Sequence, residues 1–194
     1  MKKRAFAIAV IVICLSILAT TTLAYYTTAD VTRNVITSSG IAIQIEEVDA
    51  DGNPYPVKPV LIMPSEEVDK VVKVCNVQRD SFIRAKIDVV IKKDGKPTDL
   101  DPSVVAITLG SEKWLTKEGD SQWLYYDKLM GYDEYTEELM TKVSFSGPGM
   151  TNEYQGCTIE VTITAQAVQA DNNKTTVLEA LGWPGDPLPT PDET

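Results

Sequence analysis

Hydrophobic and polar positions alternate along most of this chain with a period of two. Ile41, Ile43 and Ile45 alternate with Ala42, Gln44 and Glu46; Ile83, Ala85, Ile87 and Val89 with Arg84, Lys86 and Asp88; Val161 and Ile163 with Thr162 and Thr164. Such a pattern puts one side of a strand in a core and the other in water. It predicts strands near 35–48, 57–63, 68–77, 81–93, 103–109, 121–127, 138–145 and 157–169. Stripes at helical spacing are nearly absent. The chain is therefore expected to be all-β, a two-sheet jelly-roll-like β-sandwich. A short C-terminal helix is expected from Thr175 to Leu181, capped by the Asn/Thr cluster before it and stopped by Gly182. A flexible tail follows, because "GWPGDPLPTPDET" is rich in proline and acid.

Turn chemistry falls between the alternating runs. Asp51-Gly52 and Asp94-Gly95 suit tight turns that need positive φ. Pro54, Pro56 and Pro59 exclude a central strand in "NPYPVKP" and predict an extended connection there.

The beginning of the chain follows a different rule. Lys2, Lys3 and Arg4 precede an apolar run from Ala5 to Ala19, broken only by Ser16, and small and hydroxyl residues lead to Ala24. That order is the order of a secretory signal peptide, and the run is shorter than the roughly 20 residues a spanning helix needs. Cleavage is expected between Ala24 and Tyr25. The expected organisation is a signal peptide at 1–24, a candidate donor strand at 25–37, a β-sandwich domain at 38–183 and a Pro-rich acidic tail at 184–194.

Charge and composition narrow the function classes. The formal net charge is −10, and it becomes more negative once Lys2, Lys3 and Arg4 are removed with the leader. Such a chain is repelled by nucleic acid and by anionic membranes, so no nucleic-acid partner is expected and the membrane enters only through the uncleaved signal. The chain has no histidine. This removes the Ser-His and Cys-His nucleophile pairs, the His-bearing zinc sites and the usual neutral-pH base. No catalytic residues, cofactor or metal site are expected.

Other candidate chemistry reads as structure. In "DADGN" the place of the glycine of a calcium loop is taken by Pro54, and that of its last glutamate by Val60, so a hairpin turn fits better. Glu46-Glu47, Glu66-Glu67 and Glu137-Glu138 are adjacent, and neighbours on a strand point to opposite faces. Trp114, Trp123, Tyr125 and Tyr126 suit either cross-strand packing or a carbohydrate groove. After loss of Cys14 with the leader, Cys75 and Cys157 remain. A disulfide between them is chemically permitted in an exported protein, but Cys75 is out of step with Val72 and Val74.

Several segments together resemble a known family. "LAYYTTADVTRNVITSSGIAIQIEE" resembles the start of proteins cut by the dedicated SipW-type signal peptidase, where Ala followed by two aromatics marks the cut. "VDKVVKVCNVQRDSFIRAKIDVVI", "WLYYDKLM" and "YQGCTIEVTITAQAVQADNN" followed by "VLEALGW" are similar to successive signatures of the TasA/camelysin family of Gram-positive bacteria. The likeness covers most of residues 20–183. It departs from the family at Asn76-Val77-Gln78-Arg79-Asp80, where the usual Asn-x-Gly turn lacks its glycine.

The resemblance implies a jelly-roll β-sandwich exported to the extracellular matrix or the surface of a Gram-positive-type bacterium. TasA-like members assemble into biofilm-matrix fibres in which the N-terminal segment of one subunit completes the sheet of its neighbour. It thus implies self-association into filaments, with other matrix proteins as further partners. Camelysin-like members are described as surface metalloproteases, a role that the missing histidines oppose. In the fibre reading the donor-strand positions are Tyr26, Val31 and Val35. A monomeric cell-surface adhesin or carbohydrate-binding module is the alternative, with residues 25–37 folded back on their own domain or serving as a linker.

Overall fold

The computed structural model describes residues 27–37, 41–55 and 60–186. Twelve strands are present among them: β1 (Thr27–Thr37), β2 (Ile43–Val48), β3 (Val60–Ile62), β4 (Glu67–Asn76), β5 (Ser81–Lys93), β6 (Lys96–Pro97), β7 (Val105–Leu109), β8 (Trp114–Lys117), β9 (Asp120–Tyr126), β10 (Glu134–Tyr135), β11 (Met140–Phe145) and β12 (Cys157–Gln169). They form two packed sheets. The first has the order β3-β1-β12-β5-β9-β8, with β6 hairpinned onto β5; the second has the order β10-β4-β11-β7, with β2 on the other side of β4. Successive strands mostly pass from one sheet to the other, and the expected all-β sandwich is what forms.

Alternation in sequence becomes inside and outside in space. Ile159, Val161, Ile163, Ala165 and Ala167 of β12 are buried against Ile43 and Ile45 of β2 and Val72 and Val74 of β4. Each fully buried Ile or Val contributes on the order of 1.5–3 kcal/mol. The backbone of β12 is paired along its length with β5, from Cys157 beside Lys93 to Gln169 beside Ser81. This long antiparallel pair is the spine of the first sheet. Its hairpin end is closed by Asp94 (φ 52°) and Gly95 (φ 76°), the positive-φ pair that the Asp-Gly dipeptide supplies.

Asn76 holds the crossing from β4 to β5. It is fully buried, and its side-chain Nδ2 donates to the carbonyls of Arg79 (2.7 Å), Met130 (2.8 Å) and Gly131 (3.1 Å). One amide thus ties the turn after β4 to the loop after β9. Asn76→Leu would leave these carbonyls without that donor, and an expected loss of about 2–4 kcal/mol follows from unsatisfied buried acceptors. Chemical denaturation reads this as a lower midpoint at unchanged slope.

The structure corrects several expectations. The run expected at 35–48 is two strands in different sheets, β1 ending at Thr37 and β2 beginning at Ile43. No helix forms at Thr175–Leu181, where the chain makes successive turns, with Glu179 N–H donating to Thr176 O and Ala180 N–H to Val177 O. The reason is local competition: Asn173 Oδ1 accepts from Lys174 N–H (2.8 Å) and Leu181 N–H (2.9 Å), while its Nδ2 donates to the carbonyls of Gln169 and Leu181, both at 3.0 Å. A side chain that binds both ends of a loop in this way replaces helical bonding. β6, β8 and β10 were not anticipated. The tail is anchored through Asp186, and residues 187–194 lie outside the described residues.

Candidate assembly site

The N-terminal strand occupies a slot at the edge of β12. Thr28 to Thr37 run parallel to Thr158 to Ala167, one residue beside the next, without a register shift. On its other edge β1 pairs, among the described residues, with β3, antiparallel, from Thr27 beside Ile62 to Ala29 beside Val60. β3 joins the sheet through β1 alone among the described residues, and its Ile62 is fully buried in the core. The slot therefore has one long backbone edge, on β12, and one short clasp, on β3.

Two of the expected donor positions lie in it. Val31 is in register with Val161 and Val35 with Ala165, and both partners are buried. Tyr26 and the cleavage pair Ala24 and Tyr25 lie outside the described residues. The same register sets Arg33 beside buried Ile163 and Asp30 beside Glu160.

The outer face of the same sheet carries a feature that alternation misread. Arg84, expected to face water, is 1% exposed. Its Nε donates to Gln166 Oε1 (2.9 Å), Nη1 to Tyr125 OH (3.2 Å) and Asp186 Oδ2 (3.1 Å), and Nη2 to Asp186 Oδ1 (2.8 Å). The guanidinium also lies 4.3 Å from the ring centre of Trp123 and 4.7 Å from that of Trp183. Such a planar cation, forked onto a carboxylate and stacked on indoles, suits arginine and not lysine. Around it Phe82, Tyr125, Val168, Val177, Ala180 and Trp183 form a second apolar cluster. The segment after β12 is thus strapped over the sheet, which explains why β12 is buried on both faces from Ile163 to Val168.

The aromatic set is committed to packing. Trp114, Tyr125 and Tyr126 are buried, with Trp114 and Tyr126 rings 5.0 Å apart, and Trp123 stacks on Arg84. Burial, followed by the hydrogen bond to Asp120, pushes the Tyr125 hydroxyl up to about 12. The unfolded chain ionises this group near 10 while the folded one does not, so its contribution is intact below pH 10 and is lost as pH rises from 10 to 12. Alkaline unfolding monitored by circular dichroism should begin in that window and should begin later in Tyr125→Phe.

Cys75 and Cys157 are both buried and free, on different sheets, and burial raises both thiols above their ordinary range. Asp49 Oδ1 accepts from the backbone of Asp51 and Asn53, both at 2.9 Å, so its carboxylate closes the hairpin turn itself. Among the described residues no group of three or more Cys, Asp or Glu side chains is placed to hold a metal ion, and no helix is long and apolar enough to cross a membrane. No family model, curated protein or solved structure matches this chain.

Proposed function

We propose that this protein is a secreted subunit of extracellular matrix fibres, assembled by donation of its N-terminal strand to a neighbouring copy. The observation that carries this reading is the slot. β1 is an added strand, held by the open edge of β12 over ten residues and clasped by β3 over only three. An edge of this kind offers unpaired backbone groups and apolar sites to any strand of suitable sequence, its own or a neighbour's. The sequence likeness to the TasA/camelysin family points the same way. Signal cleavage after Ala24 would free the strand from the membrane and time its release with export.

The adhesin alternative draws less support, because the aromatic side chains it would use are packed or stacked. A protease reading lacks histidine and a ligand cluster among the described residues. Two purified proteins test the proposal, one beginning at Tyr25 and one at Thr37, compared by negative-stain microscopy and light scattering after size exclusion. Filaments from the longer protein and folded monomers from the shorter are expected. Monomers from both over a wide range of concentration and pH would remove the proposal.

A further inference from the structure

The way β1 lies in its own domain limits how it can lie in another. Thr37 stands beside Ala167, near the end of β12, and the next described residue, Ile41, precedes Ile43, which pairs with Asn76. Both points are at one end of the sandwich, the end that also carries Ser81, Gln169 and the loop before β10. From Thr37 to Ile41 there are four peptide units, which reach at most ~14 Å when extended.

Suppose first that a donated β1 keeps the parallel course. It then leaves the acceptor at the acceptor's hinge end and enters its own domain, within that reach, at the donor's hinge end. Every subunit would use the same end both to give and to receive. Two copies can satisfy this by exchanging strands reciprocally, which is a closed, isologous dimer. A third copy would have to crowd its hinge end into the same space.

A reversed strand removes the conflict. If β1 enters with Thr28 near Gln166 and Thr37 near Cys157, it leaves the acceptor at the opposite end, beside the β5–β6 hairpin and Met63. The donor's hinge end then abuts the acceptor's far end, and giving and receiving use different surfaces. Such a heterologous contact does not close, so it propagates.

Two further observations agree. Antiparallel pairing is slightly more stable per residue than parallel pairing. The two ends that would meet both expose apolar side chains: Leu129 (45%), Tyr132 (73%) and Tyr135 (50%) at the hinge end, and Met63 (49%) at the other.

We infer that in the fibre β1 of one copy runs antiparallel to β12 of the next, reversed from the parallel course it takes in its own domain. The inference rests on the strand-donation reading proposed above, and it supplies the direction of the contact. It also makes the parallel, self-inserted strand a stored form that must withdraw before it can be donated.

Paired cysteines separate the possibilities in the mature chain with Cys75→Ala and Cys157→Ala. Parallel neighbours are ~4.8 Å apart, within disulfide reach, whereas four residues along a strand span ~13 Å, which is beyond it. Under mild oxidation of filaments, Asp30→Cys with Thr164→Cys should give a ladder of covalent oligomers on a denaturing gel. Asp30→Cys with Glu160→Cys should close only within single chains, and before assembly. Covalent oligomers from the Glu160 pair instead would overturn the reversed direction while leaving strand donation standing. Filaments in which neither pair links two chains would overturn both.

Discussion

Replacing Arg84 with methionine is expected to cost the domain about 3–5 kcal/mol and to release the C-terminal strap. The side chain is 1% exposed and satisfies Gln166, Tyr125 and Asp186 at once. Removing it strands buried acceptors and takes away the cation between Trp123 and Trp183, and breaking a buried charged network by deleting one partner costs that much. For a domain of this size the melting temperature should fall by on the order of 10 °C. Trp183, now 4% exposed, should become more solvated, with red-shifted emission and new proteolytic cleavage after residue 169. Asp186→Asn should do far less, about 1 kcal/mol, because the Asp186 side chain is 42% exposed and its charge is already screened by water. An equal effect from both would mean that the carboxylate, and not the buried cation, holds the strap.

The second large effect is expected on assembly. Val31→Asp with Val35→Asp puts two carboxylates at positions in register with buried Val161 and Ala165. A reversed strand over the same stretch of β12 keeps both on the core-side row, so the expectation does not depend on strand direction. Unpaired charge at such positions should weaken strand insertion by ~3 kcal/mol or more, which raises the concentration needed for filaments about 100-fold. Thr32→Asp, on the other row of the strand, should leave the threshold within a few fold. Sedimentation of filaments against protein concentration measures both.

How much of this was legible in the sequence depended on where water lies. The bounds of β5, β9 and β12 could be read to within a residue, and over Cys157–Ile163, where one face of β12 is buried and the other is partly solvated, the period-two alternation reports the faces correctly. The Asp94-Gly95 turn could be read for a similar reason, since few residues other than Gly, Asn and Asp tolerate its φ. β6, β8 and β10 are two to four residues long, too short for any period to show.

The boundary between β1 and β2 had a signal in Ser38-Ser39-Gly40, but the flanking Val35 and Ile41 masked it by continuing the apolar run. Arg84 could not be read correctly from its neighbours. Its position in the alternation points it outward, and only the strap, which arrives about 100 residues later in the chain, makes that outer face dry. A clue was present in Trp183, a large apolar side chain inside a proline-rich segment that otherwise reads as solvated. The slot was legible as a question, a strand-forming segment without an assigned sheet. Its answer required knowing that β12 has an edge to offer, which is a property of topology and not of local pattern.

The central claim is that a copy whose strand is missing can receive but cannot give. Adding the chain that begins at Thr37 to the chain that begins at Tyr25, at a tenth of its concentration, tests this directly by measuring filament length in micrographs. The account predicts that the truncated copy caps growing ends, so that mean length falls steeply with its mole fraction and labelled truncated copies are found at one filament terminus only. Filaments of unchanged length, with the truncated copy excluded or spread along their sides, would contradict strand donation as the link between subunits.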